Sequence, residues 1–559
     1  MGLKLPFGYE ISKATKEETG VTEMPGDKDL IKRAYELFNE FRNAYAAEWS
    51  RLDRNDRFYL GNSWAEIPVL NAKEPRPTTP VLFSTIENIK ADLMDRVPEA
   101  VILPEGKEDE PIAEVVNALI KQNHDAFNYA REHERLTHDL CVCGYCVQEV
   151  GYDVDANNGV GGAFIRHTDP KNIMFDPQVS DVQSCRAIFK YETRTVEWMK
   201  QTYPEASAGF APDEYSQSTA TNDDVMNIPK SLCALLIEMW WKEPVEDADP
   251  GMPRWRVHMA KIANRMLLED SRIEKPEGYF ASGEYPFAVT PLFRRRSSML
   301  GYGLVDIFYK QQMFADKLDQ ITMKNAVMSA KNKLLITEAS GFDPEDLRDW
   351  SKEVHRGESL SGITWFSTPP LPEYVIGLAE QIRNGIKEES GANEFSRGNV
   401  AAGVTSASAI ESLQEVSSKR SRMIARIMHE AFKTCVRMEI AAEYEFNFLP
   451  RTVRITKDGE QRTETFESAM MERVGEDGIK LPIEFYVSIK IESETRYAKQ
   501  AQNDFIIRLF EAGILTPDQA IELMNFEGKE SVLGRMQKAG AARTLPIRRR
   551  QSCTRSPPS

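Results

Sequence analysis

Apolar residues recur at helical spacing near the start of the chain: Leu30, Ala34, Leu37, Phe38, Phe41 and Ala44 share one face. That helix is expected to end near Asn55, just ahead of Arg57-Phe-Tyr-Leu-Gly-Asn-Ser-Trp64. Residues 1–27 carry no such period and read as an N-terminal arm. A second helix is predicted over 82–95, stopped by Pro98, and a third over 111–140 after an acidic loop. The period then falls to two. Strands are predicted at 146–152 and 162–167 about the turn Asn157-Asn-Gly, and the β pattern runs on through Phe175-Asp-Pro to a short helix near 195–203. Residues 205–229 are polar and read as a surface loop. Patterns at 234–241, 254–260 and 261–268 read as a meander.

Beyond Gly301-Tyr-Gly-Leu the chain changes character. Residues 304–334 contain no Gly or Pro and predict a helix about 45 Å long at 1.5 Å per residue. It is apolar almost all round, which implies neighbours on several sides. A mixed segment follows, 337–372, with a short charged helix expected over 344–355 and a strand over 362–366. Another helix is predicted over 373–390. A loop, 391–405, carries Gly391, Gly398 and Gly403 and leads into a long helix over 406–444. Residues 451–493 return to strand patterns, and 496–513, 516–525 and 530–537 form a small helical array. The expected class is α+β, with the long helices in the middle third and no internal repeat.

Composition narrows the functional classes. The 559 residues are 41% apolar and 28% charged, as for a globular protein, and the length suggests roughly three to five compact units. No apolar run approaches the roughly 18 residues of a membrane span; the densest, 232–241, includes Glu238. The start has no apolar secretory core, and Pro6 stands where a myristoylation signal wants Ser or Thr. A cytosolic protein, or part of an assembly made in the cytosol, is expected. Net charge is −16, and residues 541–559 hold five arginines and no acid, so the remainder is five units more negative. An acidic body disfavours broad wrapping of nucleic acid, but it does not exclude a protein that must let DNA slide past without sticking. The basic tail reads as disordered, either a nucleic-acid arm or a solvated end.

Three constellations offer chemistry. Cys141, Cys143 and Cys146 with His138, and His133 just upstream, count to a zinc set, although the spacing lacks two separated knuckles; small buried residues at a helix-to-strand junction are the alternative. His167, Asp169, Asp176 and Asp181 can be drawn as a metal-dependent nuclease site, with Asp-Pro turns as the alternative. Lys310, Lys317, Lys324 and Lys331 repeat every seven residues along the predicted long helix, one about every 10.5 Å. A P-loop, a Gly-x-Ser-x-Gly elbow and a His-Glu-x-x-His helix are all missing from the sequence. No cofactor is expected.

The order long helix, small insert, helix, glycine loop, very long helix resembles the portal proteins of tailed bacteriophages. Family-like stretches are Arg57-Phe-Tyr-Leu-Gly-Asn-Ser-Trp64, Phe175-Asp-Pro177, Pro291-Leu-Phe-Arg-Arg, Gly301-Tyr-Gly-Leu-Val-Asp, Gln311-Gln-Met, and Gly391–Gly403 running into Thr405-Ser-Ala-Ser-Ala-Ile410-Glu-Ser-Leu-Gln414. The resemblance covers most of residues 30–540. It implies a wing (28–300), a first stem helix (301–336), a clip (337–372), a second stem helix (373–390), a tunnel loop (391–405), a long wing helix with returning strands (406–495), and crown-like helices (496–540).

The resemblance further implies a non-enzymatic homo-oligomeric ring, a dodecamer at one capsid vertex of the virion, assembled in the host cytoplasm with major capsid and scaffolding proteins. Double-stranded DNA would pass without sequence reading, and terminase, then a head–tail adaptor, would dock on it. Under this reading the four lysines form stacked positive girdles and Arg397 touches phosphate; solvated lysines whose stems cover apolar neighbours are the alternative. Gly391, Gly398 and Gly403 give the tunnel loop its freedom. Asp346, Arg348, Asp349, Lys352, Glu353 and Arg356 present the clip to its partners, or are merely solvated. The competing classes are a metal-dependent nucleic-acid enzyme and a ring-forming virion protein without a DNA channel.

Overall fold

The computed structural model describes residues 27–68, 71, 73–94, 97–213, 232–245, 254–330, 333–349, 351–366, 369–391, 419–457, 460–474, 480–490, 496–513 and 516–524. Every strand pair among them is antiparallel. Helices and antiparallel sheets therefore coexist without parallel crossovers, as in the α+β class.

The first helix runs Asp27–Tyr59 and buries Leu30, Ala34, Phe38, Phe41, Tyr45 and Leu52. Its aromatic stripe seats on a five-stranded sheet: Phe38 meets Phe189 and Tyr191 edge-on, both at 5.6 Å. That sheet is ordered Ile173–Met174, Ala187–Thr195, Cys233–Pro244, Trp255–Ala263, Met266–Asp270. The meander turns at Asn264 and Arg265, both with positive φ (48° and 62°), so its boundary falls four residues later than the sequence pattern suggested.

The helix expected over 111–140 is two, Glu110–Ala126 and Tyr129–Val142. Asn128 between them is left-handed at φ 51°, a conformation that Asn tolerates better than most residues. Helix Tyr129–Val142 ends in Gly144 and strand Tyr145–Asp153. Its hairpin partner, Gly162–Thr168, follows the Asn157-Asn158 turn, where φ is again positive.

A second core gathers helices Val81–Met94, Tyr129–Val142, Leu304–Ala330, Glu373–Ser390 and Lys419–Phe446 through Leu82, Leu136, Leu304, Phe308, Ile386 and Met428. A third joins helices Glu110–Ala126 and Lys419–Phe446 to strand Glu99–Pro104, which pairs with Phe485–Lys490 from the far end of the chain.

The long helix is described over Leu304–Ala330, and Lys333–Ile336, expected to be mostly helical, is instead a strand paired with Ile363–Phe366. The charged helix expected over 344–355 is not formed. Among its described residues only the turn Asp346–Arg348 is helical, and Asp349 folds onto the N–H and hydroxyl of Ser351 in a local turn, the usual competitor of helix for such residues. Helix Glu373–Ser390 matches expectation and ends at left-handed Gly391 (φ 84°). The last long helix is described over Lys419–Phe446 and the small array over Arg496–Glu511 and Pro517–Leu523. The arm 1–26, the residues 406–418, the helix expected at 530–537 and the tail 541–559 lie outside the described residues.

Candidate functional site

Helix Leu304–Ala330 is fixed at its root by a glycine junction. Gly144, at φ 89°, lies so close to Tyr302 and Gly303 that a Cβ there would sit 2.2 Å from the Gly303 nitrogen. The Gly303 N–H donates to Asp306 Oδ2 at 2.8 Å, and Arg54 Nη2 reaches Asp306 Oδ1 at 2.7 Å. Arg51 also pairs with Asp306 and donates to the Cys143 carbonyl at 2.7 Å. Asn55 donates to the Val142 carbonyl at 3.0 Å. The first helix thus clamps the start of the long one to the end of helix Tyr129–Val142.

Along its length the long helix carries a ladder of polar residues that holds the described parts of a proline-bearing segment, 62–68, 71 and 73–80, as a strap. Gln312 accepts from the Val81 N–H (3.2 Å) and donates to the Thr79 carbonyl (2.8 Å). Asp316, fully buried, accepts from Ser63 Oγ at 2.5 Å and Gln312 Nε2 at 2.9 Å; burial pushes its carboxyl pKa up. Gln320 donates to the Pro75 carbonyl at 3.0 Å. On the other flank Asp319 pairs with Arg383, and Gln311 donates to Glu389 at 3.1 Å, tying in helix Glu373–Ser390.

The lysine stripe meets this strap. Lys317 Nζ donates to the Pro68 carbonyl at 2.9 Å and lies 5.4 Å from the Trp64 ring; Lys324 pairs with Glu74 at 2.8 Å. Lys310 is exposed beside the Tyr309 ring. Lys331 lies outside the described residues, as do Arg397, Gly398 and Gly403. Two of the three described lysines are therefore held within the subunit. The face they border bears Ile307, Phe314 and Ile321, 48%, 56% and 47% exposed. These too recur every seven residues, on nearly one azimuth.

In the insert, Asp346 pairs with Lys352 and accepts from His355 at 3.4 Å; the Lys352 contact lowers its carboxyl pKa. Arg348, Glu353 and Arg356 are exposed, and Asp349 is taken up in its turn with Ser351. Trp365, Leu335 and Leu360 stand largely exposed around the two-stranded hairpin.

The metal constellations do not assemble. Cys143 packs in the first core and Cys141 and Cys146 in the second, all buried. Burial pushes the Cys141 thiol up to about 12 and the other two well above their ordinary value, the opposite of a thiolate ligand. His138 lies edge-on against Tyr59. His167 Nε2 is 2.5 Å from Asp139 Oδ2, whereas Asp176 is held by Arg186 at 2.6 Å and Asp181 accepts from Ser184. Among the described residues no group of three or more His, Cys, Asp or Glu could hold a metal. None of the described helices is long and apolar enough to cross a membrane.

With this geometry in place, comparison with known families is decisive. The model of the Phage P22-like portal protein family matches residues 35–548. The chain belongs to that family. No curated protein matches the sequence. Membership supports a phage portal role in the virion, a structural one, within a ring assembly that works with capsid and packaging partners. The sequence reading missed the part of this portal chain that engages its lysines. The signal was present in Gln312, Asp316 and Gln320, neutral or acidic polar residues four apart on one face of the helix, together with an upstream proline-bearing stretch that lacks β or helical period.

Proposed function

We propose that the chain forms a closed dodecameric ring at one capsid vertex, through which double-stranded DNA is packaged and ejected without sequence reading. The observation that carries this reading beyond family membership is the face of helix Leu304–Ala330. Its strap side and its Glu373–Ser390 side are both occupied, and the remaining side exposes Ile307, Phe314 and Ile321. Large apolar side chains in a row mark a surface meant to be covered, and a neighbouring copy is the partner a ring supplies. The lysines then lie at the margin of a subunit contact. Among the described lysines of the stripe, Lys310 is the exposed one that the strap does not hold and so the candidate for DNA phosphate, with Lys331 and Arg397 joining it. Lys317 and Lys324 secure the strap. The insert, with Arg348, Glu353 and Arg356 exposed, is the docking surface for terminase and then for the head–tail adaptor.

Negative-stain electron microscopy with mass by light scattering tests the ring. Rings of about a dozen subunits with an axial hole wide enough for duplex DNA are expected. A chain that remains monomeric when mixed with its capsid and scaffolding partners overturns the reading. Packaging by a variant with alanine at Lys310, Lys317, Lys324 and Lys331 tests the DNA contact, and wild-type retention of DNA would remove the lysines from it.

A further inference from the structure

Four segments distant in sequence meet above Gly162: the end of helix Glu110–Ala126, the Asn157-Asn158 turn, the end of helix Lys419–Phe446, and the start of strand Arg451–Lys457. Their polar side chains are almost wholly buried, with Asn123 at 0%, Glu443 at 1%, Asn447 at 2% and Arg451 at 4% exposure. Glu443 is well served: its carboxylate accepts from Asn123 Nδ2 at 2.7 Å, from the Ala163 N–H at 2.8 Å and from Asn447 Nδ2 at 3.1 Å. The other ends of these side chains are not. Among the described residues, Asn123 Oδ1, Asn447 Oδ1 and both Nη atoms of Arg451 find no hydrogen-bond partner. Arg451 Nη1 stands 3.6 Å from Glu443 Oε1, an ion-pair distance too long for a direct hydrogen bond, which leaves the guanidinium's N–H groups to be met from the side.

We propose that this junction is a binding site for internal water, one or two molecules held between Arg451, Glu443 and the amide oxygens of Asn123 and Asn447. Gly162 shows where the groups converge. A Cβ built on it would meet Asn157 Nδ2 at 3.0 Å and both Arg451 Nη1 and Asn123 Oδ1 at 3.3 Å. The guanidinium only donates and the amide oxygens only accept, so the occupant must do both. It must be uncharged, because an anion meets Glu443 and a cation meets Arg451. It must also be small enough for a space that a single methyl group would crowd. Water meets all three conditions, and buried polar groups left without protein partners are where such water resides. The second carboxylate nearby, Glu439, is already matched by His124 Nε2 at 2.9 Å and does not compete for it. The inference stands independently of the ring reading.

A structure of the assembled particle at a resolution that shows ordered solvent tests the site. A solvent peak about 2.7–3.2 Å from an Arg451 Nη and from Asn123 Oδ1 is expected. Absence of a peak, with Arg451 closed directly onto Glu443 or Asn123, overturns it. Gly162 has no left-handed φ to forbid a side chain, so substitution gives a second readout. Gly162→Ala should lower the thermal midpoint by expelling the water, and Gly162→Ser should recover most of the loss by supplying a hydroxyl that both donates and accepts. An alanine variant at least as stable as wild type contradicts the proposal.

Discussion

At Gly144 two constraints coincide: a backbone φ of 89° that other residues seldom adopt, and the Gly303 nitrogen 2.2 Å from where a Cβ would lie. Because that neighbour is backbone, it cannot rotate aside. Gly144→Ala is expected to cost about 3 kcal/mol or more, seen as a large fall in thermal midpoint. Gly159 has a similar φ but no atom near its Cβ position, so Gly159→Ala should cost only about 1 kcal/mol. His133 gives a pH-dependent counterpart. Burial first, then the neighbouring His429, lowers its pKa to about 4, against the modest opposing pull of the Leu93 carbonyl. The folded chain therefore keeps His133 neutral where the unfolded chain protonates it. Stability is fully present above about pH 6.5 and is lost as pH falls toward 4, by on the order of 3 kcal/mol. Chemical denaturation of His133→Gln across pH 4–7 should show a flatter acid limb than wild type; an unchanged slope would assign that limb to other groups.

Among the elements, the strap and the long helix form one unit joined by buried polar contacts. Asp316→Ala strands the Ser63 hydroxyl and the Thr79 N–H and removes one of the two acceptors of Gln312 Nε2, costing about 2–4 kcal/mol. Limited trypsinolysis should then cut faster at Lys73, which is exposed on the strap. Lys324 and Glu74 are a weaker tie because Lys324 is half exposed; a double-mutant cycle should give no more than about 1 kcal/mol, declining with added salt. The strap was illegible in the sequence because it has no period of its own; its conformation comes from the helix it lies on. Helix Glu373–Ser390 was legible to the residue because Pro372 and Gly391 mark its ends locally. The charged helix expected over 344–355 failed for the opposite reason. Leu347, Trp350 and Val354 stand at helical spacing in its sequence, yet Leu347 is only partly buried and Val354 is 72% exposed. With little tertiary burial to hold that face, short-range turns such as Asp349–Ser351 prevail. The split at Asn128 and the turn at Asn264-Arg265 each rest on left-handed residues, which a hydrophobic period does not register. The pairing of Glu99–Pro104 with Phe485–Lys490 is set by the third core, and no local signal announces it.

For the whole molecule, the issue is what covers Ile307, Phe314 and Ile321. Each is about half exposed, so complete burial would contribute roughly 1 kcal/mol per side chain, repeated at every contact of a closed ring. The same side chains facing a water-filled channel would gain nothing, and an apolar wall is a poor guide for a polyanion. A charge placed there should consequently act on assembly and leave the subunit fold unchanged. Phe314→Glu combined with Ile321→Lys is expected to reduce the particle mass from ring to single subunit while the far-ultraviolet dichroism and thermal midpoint of the subunit stay near wild type. Lys310→Ala, at the margin of the same face, should leave ring mass intact and alter only DNA retention. Rings that persist in the double variant would turn this face away from the neighbouring copy, and the apolar row would then need another partner. Loss of rings in Lys310→Ala as well would make the whole face, cation included, the subunit contact, leaving Lys331 and Arg397 as the DNA-facing candidates.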